Sequence, residues 1–440
     1  MRTVARLVLL VALVAFGLPA VASSSASAQA ASAPAVSGRV LTRGGQLTSF
    51  AGHAQLLRST LWCQGTFSPD GAMIASVVES VSYGCARGRI RIQRAHGATA
   101  SVSVPAGNIR GITWSPDGKQ LAVVVTHDNT AALYAVRVDG SGTQLLYSGY
   151  WTDAGSPEAE PAWSPDGSRI AYVGWSPVGH GQIYTVPAAG GTPAPFNTPY
   201  VDAGCDYESV PCRKLTFRAP RWSPDGTRLL VNASDTTWDT PTHPESWSSS
   251  AAILTEGATE PTAVRSIATS DEQPWAQYSA DYLPVFWSAD GSSVLVPNLV
   301  LRSPWSVDRS YTRTEIVSGR VTGVVRGEVY DWQPCPTGTC VSWPRAAKPR
   351  VAFTAFWKRT AFKHLRIAAK VAPRQQGFLR VEIQVAARGR WIPYLSKDID
   401  ISSGRVTRTA MASRDDPPGG ACRAVATYRQ VFRKVVRVGC

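Results

Sequence analysis

Beyond residue 60 the chain is built from short runs in which apolar and polar residues alternate, broken by clusters of Gly, Pro, Asp and Ser. A period of two puts every second side chain on one face, the mark of a half-buried strand. Lys119 to Val125, Arg169 to Val173 and Arg228 to Val231 are short apolar runs that follow turn residues and read as strands too. A further strand follows the first two: Ala132 to Val138 ends in the turn Asp139-Gly140, and Gln182 to Val186 leads to Gly190-Gly191. The pattern predicts an all-β chain of short strands joined by tight turns.

The turns repeat. Trp-Ser-Pro-Asp-Gly stands intact at Trp114, Trp163 and Trp222, and altered as Phe67-Ser68-Pro69-Asp70-Gly71, Trp287-Ser288-Ala289-Asp290-Gly291 and Asp331-Trp332-Gln333-Pro334. From one aromatic to the next the steps are 47, 49, 59, 65 and 45 residues, at or above the ~40–50 of a propeller blade. In each copy the aromatic ends a strand, Pro presets the first turn dihedral, Asp bonds the turn backbone and Gly takes the positive φ. Asp70, Asp117, Asp166, Asp225 and Asp290 therefore read as turn residues rather than catalytic ones.

These residues resemble the TolB-type, WD-repeat-like six-bladed β-propellers of exported bacterial proteins, whose repeat couples Trp-Ser-Pro-Asp-Gly to an apolar strand and an Ile-Tyr-x-Val element ending in Gly-Gly. The resemblance covers about residues 37–344. It implies a fold and a binding platform; the family includes translocation-associated scaffolds, lyases and the propeller halves of peptidases, so it implies no single activity. Ring closure then requires the chain ends to share the sixth blade. Gly38 to Thr48 reads as its third and fourth strands, and Val341-Ser342-Trp343 as its second, with a Cys335–Cys340 bond clamping the first hairpin.

After the linker Pro344 to Arg350 the charge changes. Of the 45 Lys and Arg, 21 lie in residues 345–440 against 5 Asp and Glu, a net of +16; the preceding 344 residues carry 24 against 26, a net of −2. Seven alternating runs, Val351 to Phe356, Leu365 to Val371, Phe378 to Val385, Trp391 to Leu395, Arg405 to Thr409, Cys422 to Tyr428 and Val435 to Val438, suit a small β-sandwich over 350–440. It resembles the immunoglobulin-like modules of bacterial surface proteins. A concentrated basic surface points to an anionic wall polymer or lipid head groups, by counterion release; the alternative is an arginine-rich composition with no partner.

The other end carries Arg2 and Arg6, an apolar stretch from Leu7 to Val21, and small-residue cleavage sites near residues 28–33. That is the pattern of a signal peptide over 1–30, with a retained anchor as the alternative. Export to the extracytoplasmic envelope makes nucleic acid an unsuitable partner and disulfides suitable ones. Sequence proximity pairs Cys63 with Cys85, Cys205 with Cys212, Cys335 with Cys340 and Cys422 with Cys440.

In a four-stranded blade, the loop between the second and third strands and the link to the next blade open on one side. Most extra length falls there, in the stretches 150–160, 200–212, 238–247, 271–282 and 303–305. Tyr150, Trp151, Asp153, Tyr207, Trp238, Trp247, Trp275, Tyr278 and Tyr282 are the candidate binding residues, since aromatic side chains on loops over a rigid scaffold commonly form recognition surfaces. The alternative is that these rings pack on one another over the channel mouth. No Gly-x-Ser-x-Gly elbow or His-Glu-x-x-His motif occurs. The sequence therefore predicts a monomeric, non-enzymatic scaffold without metal or cofactor, binding an envelope protein or glycan. A propeller lyase or hydrolase acting on a polysaccharide or peptide, using His180 or His243, is the alternative.

Overall fold

In the computed structural model of the chain, each Ser-x-Asp-Gly turn is a closed set of hydrogen bonds. The Ser115 and Ser164 hydroxyls donate to Asp117 and Asp166 at 2.6 Å, and Ser68, Ser223 and Ser288 do the same to Asp70, Asp225 and Asp290. The same Ser oxygens accept the amide five residues on, from Met73 at 2.8 Å, Gln120 at 2.9 Å, Arg169 at 3.1 Å, Arg228 at 3.0 Å and Ser293 at 2.9 Å. Each Asp takes a second amide two residues on, as Asp117 does from Lys119 at 3.0 Å. Gly118 closes its turn at φ 67°, where a Cβ is disfavoured. The repeated carboxylates are turn residues.

The structure describes residues 38–440 with the stretches 43–44, 51–52, 58–63, 78–86, 151–156, 177–178, 199–211, 241–242, 270–282, 304–305, 336–338, 345–349, 360–362, 373–377, 388–389, 401–404, 412–420, 429–431 and 440 excepted.

Up to Trp332 the strands form six antiparallel sets of four. Gly65–Phe67, Met73–Val77, Arg87–Arg94 and the first part of Ala100–Trp114 make one set, and the second part of that long strand opens the next with Gln120–His127, Thr130–Arg137 and Thr143–Tyr150. The later sets open on Pro157–Trp163, Cys212–Trp222 and Phe286–Trp287. Each set buries its apolar face against the next: Leu133 and Leu146 meet Tyr172 and Val186, Val173 and Ile183 meet Phe217 and Val231, and Leu230 and Trp247 meet Val294 and Val296. This cyclic packing is that of a propeller.

Closure differs from the expected two-plus-two arrangement. Val329–Trp332 is the single strand from the far side, and Arg39–Thr42, Gln46–Ser49 and Ala54–Leu56 supply the other three. Residues 341–343 are not a strand. Arg39–Thr42 pairs with Val329–Trp332 instead, Val40 opposite Trp332 and Leu41 opposite Asp331, with a bulge before Thr42 meets Val329. Residues 341–343 instead act as a plug: the Trp343 indole is buried against Phe67, its N–H donates to Gly71 O at 3.1 Å, and Gln55 Nε2 donates to its carbonyl. The Cys335–Cys340 bond, with Cα atoms 4.5 Å apart, closes the bend that returns the chain to this position.

A second expectation also changes. The stretch 238–247, read as a loop, is mostly strand: Arg228–Thr240 and His243–Thr255 pair out to Thr240 opposite His243. The run Thr236-Thr237-Trp238-Asp239-Thr240 is β-branched and aromatic, which favours extended backbone over a loop. Ser293–Ser303 and Ser306–Glu315 likewise leave only residues 304 and 305 between them.

Residues 350–440 contribute seven strands in two sheets, in agreement with the seven runs read from sequence. Lys363–Ala372 lies between Arg350–Arg359 and Arg405–Met411 in one sheet. The other runs in the order Arg390–Asp400, Phe378–Ala387, Ala421–Tyr428, Phe432–Gly439. Phe353, Ala355 and Ala369 of the first sheet share one core with Leu379, Val381, Ile383, Ala424 and Val438 of the second. Cys422 is buried there and disulfide-bonded. The side chains of the other expected pairs, Cys63 with Cys85 and Cys205 with Cys212, and of Cys440, lie outside the described residues.

Candidate functional site

One residue position in each repeat escapes the regularity of the turns: the one just before the aromatic. Going round, it is Thr66, Thr113, Ala162, Arg221, Phe286 and Asp331. At three of the six its carbonyl accepts the indole N–H of the following repeat: Trp114 donates to Thr66, Trp222 to Ala162 and Trp287 to Arg221, each at 3.0 Å. Trp163 departs from this and donates to Gly167 O at 3.2 Å. The tryptophans thus fasten neighbouring sheets, while the side chains of the preceding position are free to differ.

Five of these six positions, with Trp163, Pro165, Trp222 and Trp287, line a cavity of about 210 Å³ at the inner strands, on the side of the Ser-Pro-Asp-Gly turns. Asp331 accepts from Thr66 Oγ1 at 2.9 Å and from the Phe67 amide at 2.7 Å. Burial pushes its carboxyl above the ordinary range, against those bonds and the attraction of Arg221. The Arg221 guanidinium sits over the Phe286 ring, 5.6 Å from its centre, and donates to Pro220 O at 2.9 Å. The cavity therefore sets the Arg221 guanidinium over an aromatic floor, with the Asp331 carboxyl already engaged by Thr66, Phe67 and Trp332, an arrangement suited to a polar group with one anionic end.

Below this mouth the inner strands bulge. Glu160 and Ala219, each three residues before its Trp, have φ of 57° and 51°. The Glu160 carboxylate takes the Ala219 amide at 2.6 Å, linking one bulge to the next. Left-handed backbone at Ala costs roughly 1 kcal/mol or more and persists only where neighbours enforce it.

The sequence-predicted binding residues are only partly placed. Tyr150 ends the strand Thr143–Tyr150 on the side of the long connections and is 63% exposed. Trp247 is 5% exposed and packs in the core with Leu230 and Val296, so it is a packing residue and not a surface one; it pairs with Thr236, at a position whose side chain points into the sheet-to-sheet layer. Trp238 lies within Arg228–Thr240, with its side chain outside the described residues, as are Trp151, Asp153, Tyr207, Trp275, Tyr278 and Tyr282 altogether. His180 and His243 stand at or near the start of the third strands of adjacent sets, their side chains likewise not described. Among the described residues no group of three His, Cys, Asp or Glu is placed to hold a metal. The pre-aromatic position was missed in sequence; its signal was variation beside an otherwise constant motif.

Residues 53–200 match the family model of the TolB beta propeller domain. In this segment the chain is similar to part of a TolB-type β-propeller. The turn motif, intact at Trp222 and altered at Trp287 and Trp332, carries the pattern beyond the matched residues. Similar solved structures include TolB from Acinetobacter baumannii, at 16% identity over 68% of this chain and 61% of that one, with a TM-score of 0.37. The putative TolB from Agrobacterium tumefaciens aligns at 17% identity over 67% of this chain and 90% of that one, TM-score 0.38. An oligogalacturonate lyase from Vibrio parahaemolyticus aligns at 8% identity over 65% and 78%, TM-score 0.39. The chain thus spans 61% of the length of the first of these. No curated protein matches it.

Proposed function

We propose that this is an exported, non-enzymatic binding scaffold of the cell envelope: a six-bladed propeller over 37–344 that recognises a protein or glycan, and an immunoglobulin-like basic module over 350–440 that retains it there. The observation that carries the reading is the division of labour within the repeat. Ser, Asp, Gly and Trp are spent on turns and sheet-to-sheet bonds that are the same in successive sets, while the pre-aromatic side chains and the long connections vary. A rigid frame with non-repeating positions at both ends of its inner strands is a binding device rather than a repeated catalytic centre.

The side carrying Tyr150 and the long connections is the main recognition face, with Trp151 and Trp275 as its anchors. Capture of cross-linked partners from the native envelope tests this. The unaltered protein should retain a partner that the Trp151→Ala, Trp275→Ala double variant loses; equal recovery by both overturns the assignment of that face. The second reading, a propeller lyase, is favoured only by the matched placement of His180 and His243 in adjacent sets. Release of unsaturated ends from an acidic oligosaccharide, abolished by His180→Ala, would replace the scaffold reading.

A further inference from the structure

The outer face of the four-stranded sheet in residues 350–440 holds its arginines in an arrangement that folding alone does not explain. Register places Arg423 of Ala421–Tyr428 directly opposite Arg437 of Phe432–Gly439, and Arg433 opposite Thr427. Directly opposed like charges destabilise a sheet. None of Arg423, Arg433 and Arg437 forms an ion pair among the described residues, and Arg433 and Arg437 are exposed. The acid described on this face, Glu382, is engaged by Gln384 Nε2. Gln384 in turn fixes Arg423, accepting from its Nε at 2.7 Å, and the Arg423 guanidinium lies 4.3 Å from the centre of the Trp391 ring. Trp391 is 38% exposed and Val435, between Arg433 and Arg437, is 40% exposed.

The face therefore combines an immobilised guanidinium, a second one across the strand, and an exposed indole plate beside them. Arginine forks match carboxylates bidentately, and an aromatic plane offers apolar surface to the C–H face of a sugar ring. The charges run along two strands, which suits a linear polymer better than a free ion. We infer that this face binds an acidic polysaccharide, a glycan chain bearing carboxylates, through Arg423, Arg437 and Trp391. The charges are complementary: the opposed pair is unfavourable in the free protein and becomes favourable once an anion lies between its members. The inference rests on reading 350–440 as the retaining module.

The test uses the full chain and polygalacturonate as probe, at low and moderate salt. The unaltered protein should bind, more weakly as salt rises. The Arg423→Gln, Arg437→Gln double variant should bind about tenfold or more weakly, and Trp391→Ala should also weaken binding. The Arg137→Gln, Arg326→Gln double variant, which removes the same charge from exposed propeller positions, should bind as the unaltered protein does. Thermal melts guard against misfolding, since relief of the opposed pair should leave the melting temperature of the Arg437→Gln variant unchanged or raised. Equal loss in both double variants would show charge without a site and overturn the proposal. So would binding to phosphatidylglycerol vesicles, with the same arginine dependence, in place of polygalacturonate. The Trp151→Ala, Trp275→Ala variant should keep its polymer binding, so failure of the propeller's recognition face and failure of this one are separable.

Discussion

The propeller and the tail sheets handle charge in opposite ways. In the propeller, arginines have acids to meet: Arg213 reaches Asp235 at 2.6 Å and Glu260 at 2.8 Å, Arg169 reaches Glu256 at 3.0 Å, and Arg320 reaches Glu315 at 2.7 Å. In the tail, 21 Lys and Arg share 5 acids, and Arg423 and Arg437 face each other across a strand pair. A nearly neutral ring meets several of its arginines with its own acids. A basic sheet that opposes its own charges is stabilised by what binds to it.

The largest effect that would break this comparison lies at the ring's closure. Trp343→Ala removes a buried indole and its bond to Gly71, and should cost about 3–5 kcal/mol, read as a drop in the urea midpoint of the propeller. Amide exchange in Ala421–Tyr428 should stay slow in that variant; if it speeds up together with the propeller, the two regions do not hold themselves separately.

Next comes the turn network. Ser223 is fully buried and both donates to Asp225 and accepts from Arg228, so Ser223→Ala should cost about 1–3 kcal/mol by leaving those groups unmet. Acid attacks the same network. Hydrogen bonds from Ser164 and from the Ser168 amide and hydroxyl lower the Asp166 carboxyl to about 2, and Asp117 and Asp225 are lowered by the equivalent bonds. Carboxyls depressed in the folded state contribute stability above their unfolded value and lose it as pH falls. The urea midpoint should therefore decline as pH drops from the ordinary value of 3.8 towards about 2, and an Asp166→Asn variant should decline less. Asp331, raised by burial, acts with the opposite sign and favours the folded ring at low pH.

A smaller effect sharpens the picture of the inner strands. Ala219→Gly relieves a φ of 51° and should raise stability by roughly 1 kcal/mol or less, measurable as a higher melting temperature.

Much of this fold was legible because its information is local and repeated. The five Asp turns were read correctly from Pro-Asp-Gly chemistry, and the seven tail strands from alternation alone. Closure was read only in kind: that Val329–Trp332 joins a sheet of three strands from the other end, and that Trp343 is a plug, depends on contacts some 270 residues apart in sequence, which no local pattern encodes. Trp247 was misplaced for a related reason. A Trp among Ser and Thr looks like loop decoration until the strand pairing extends past it. The site positions Arg221, Phe286 and Asp331 were hidden because each is ordinary in its own repeat and meaningful only beside its equivalents.

The propeller and the tail should respond oppositely, in melting temperature, to one charge reversal each. Arg213→Glu sets a carboxylate against Asp235 and Glu260 and should lower the melting temperature of the propeller. Arg437→Glu sets a carboxylate against Arg423 and should raise that of the tail, by a stabilisation of about 0.2–1 kcal/mol. Shifts of opposite sign support a self-satisfied ring beside a sheet with uncompensated charge. A fall in both would contradict it, and would mean that the tail arginines are already paired within the fold.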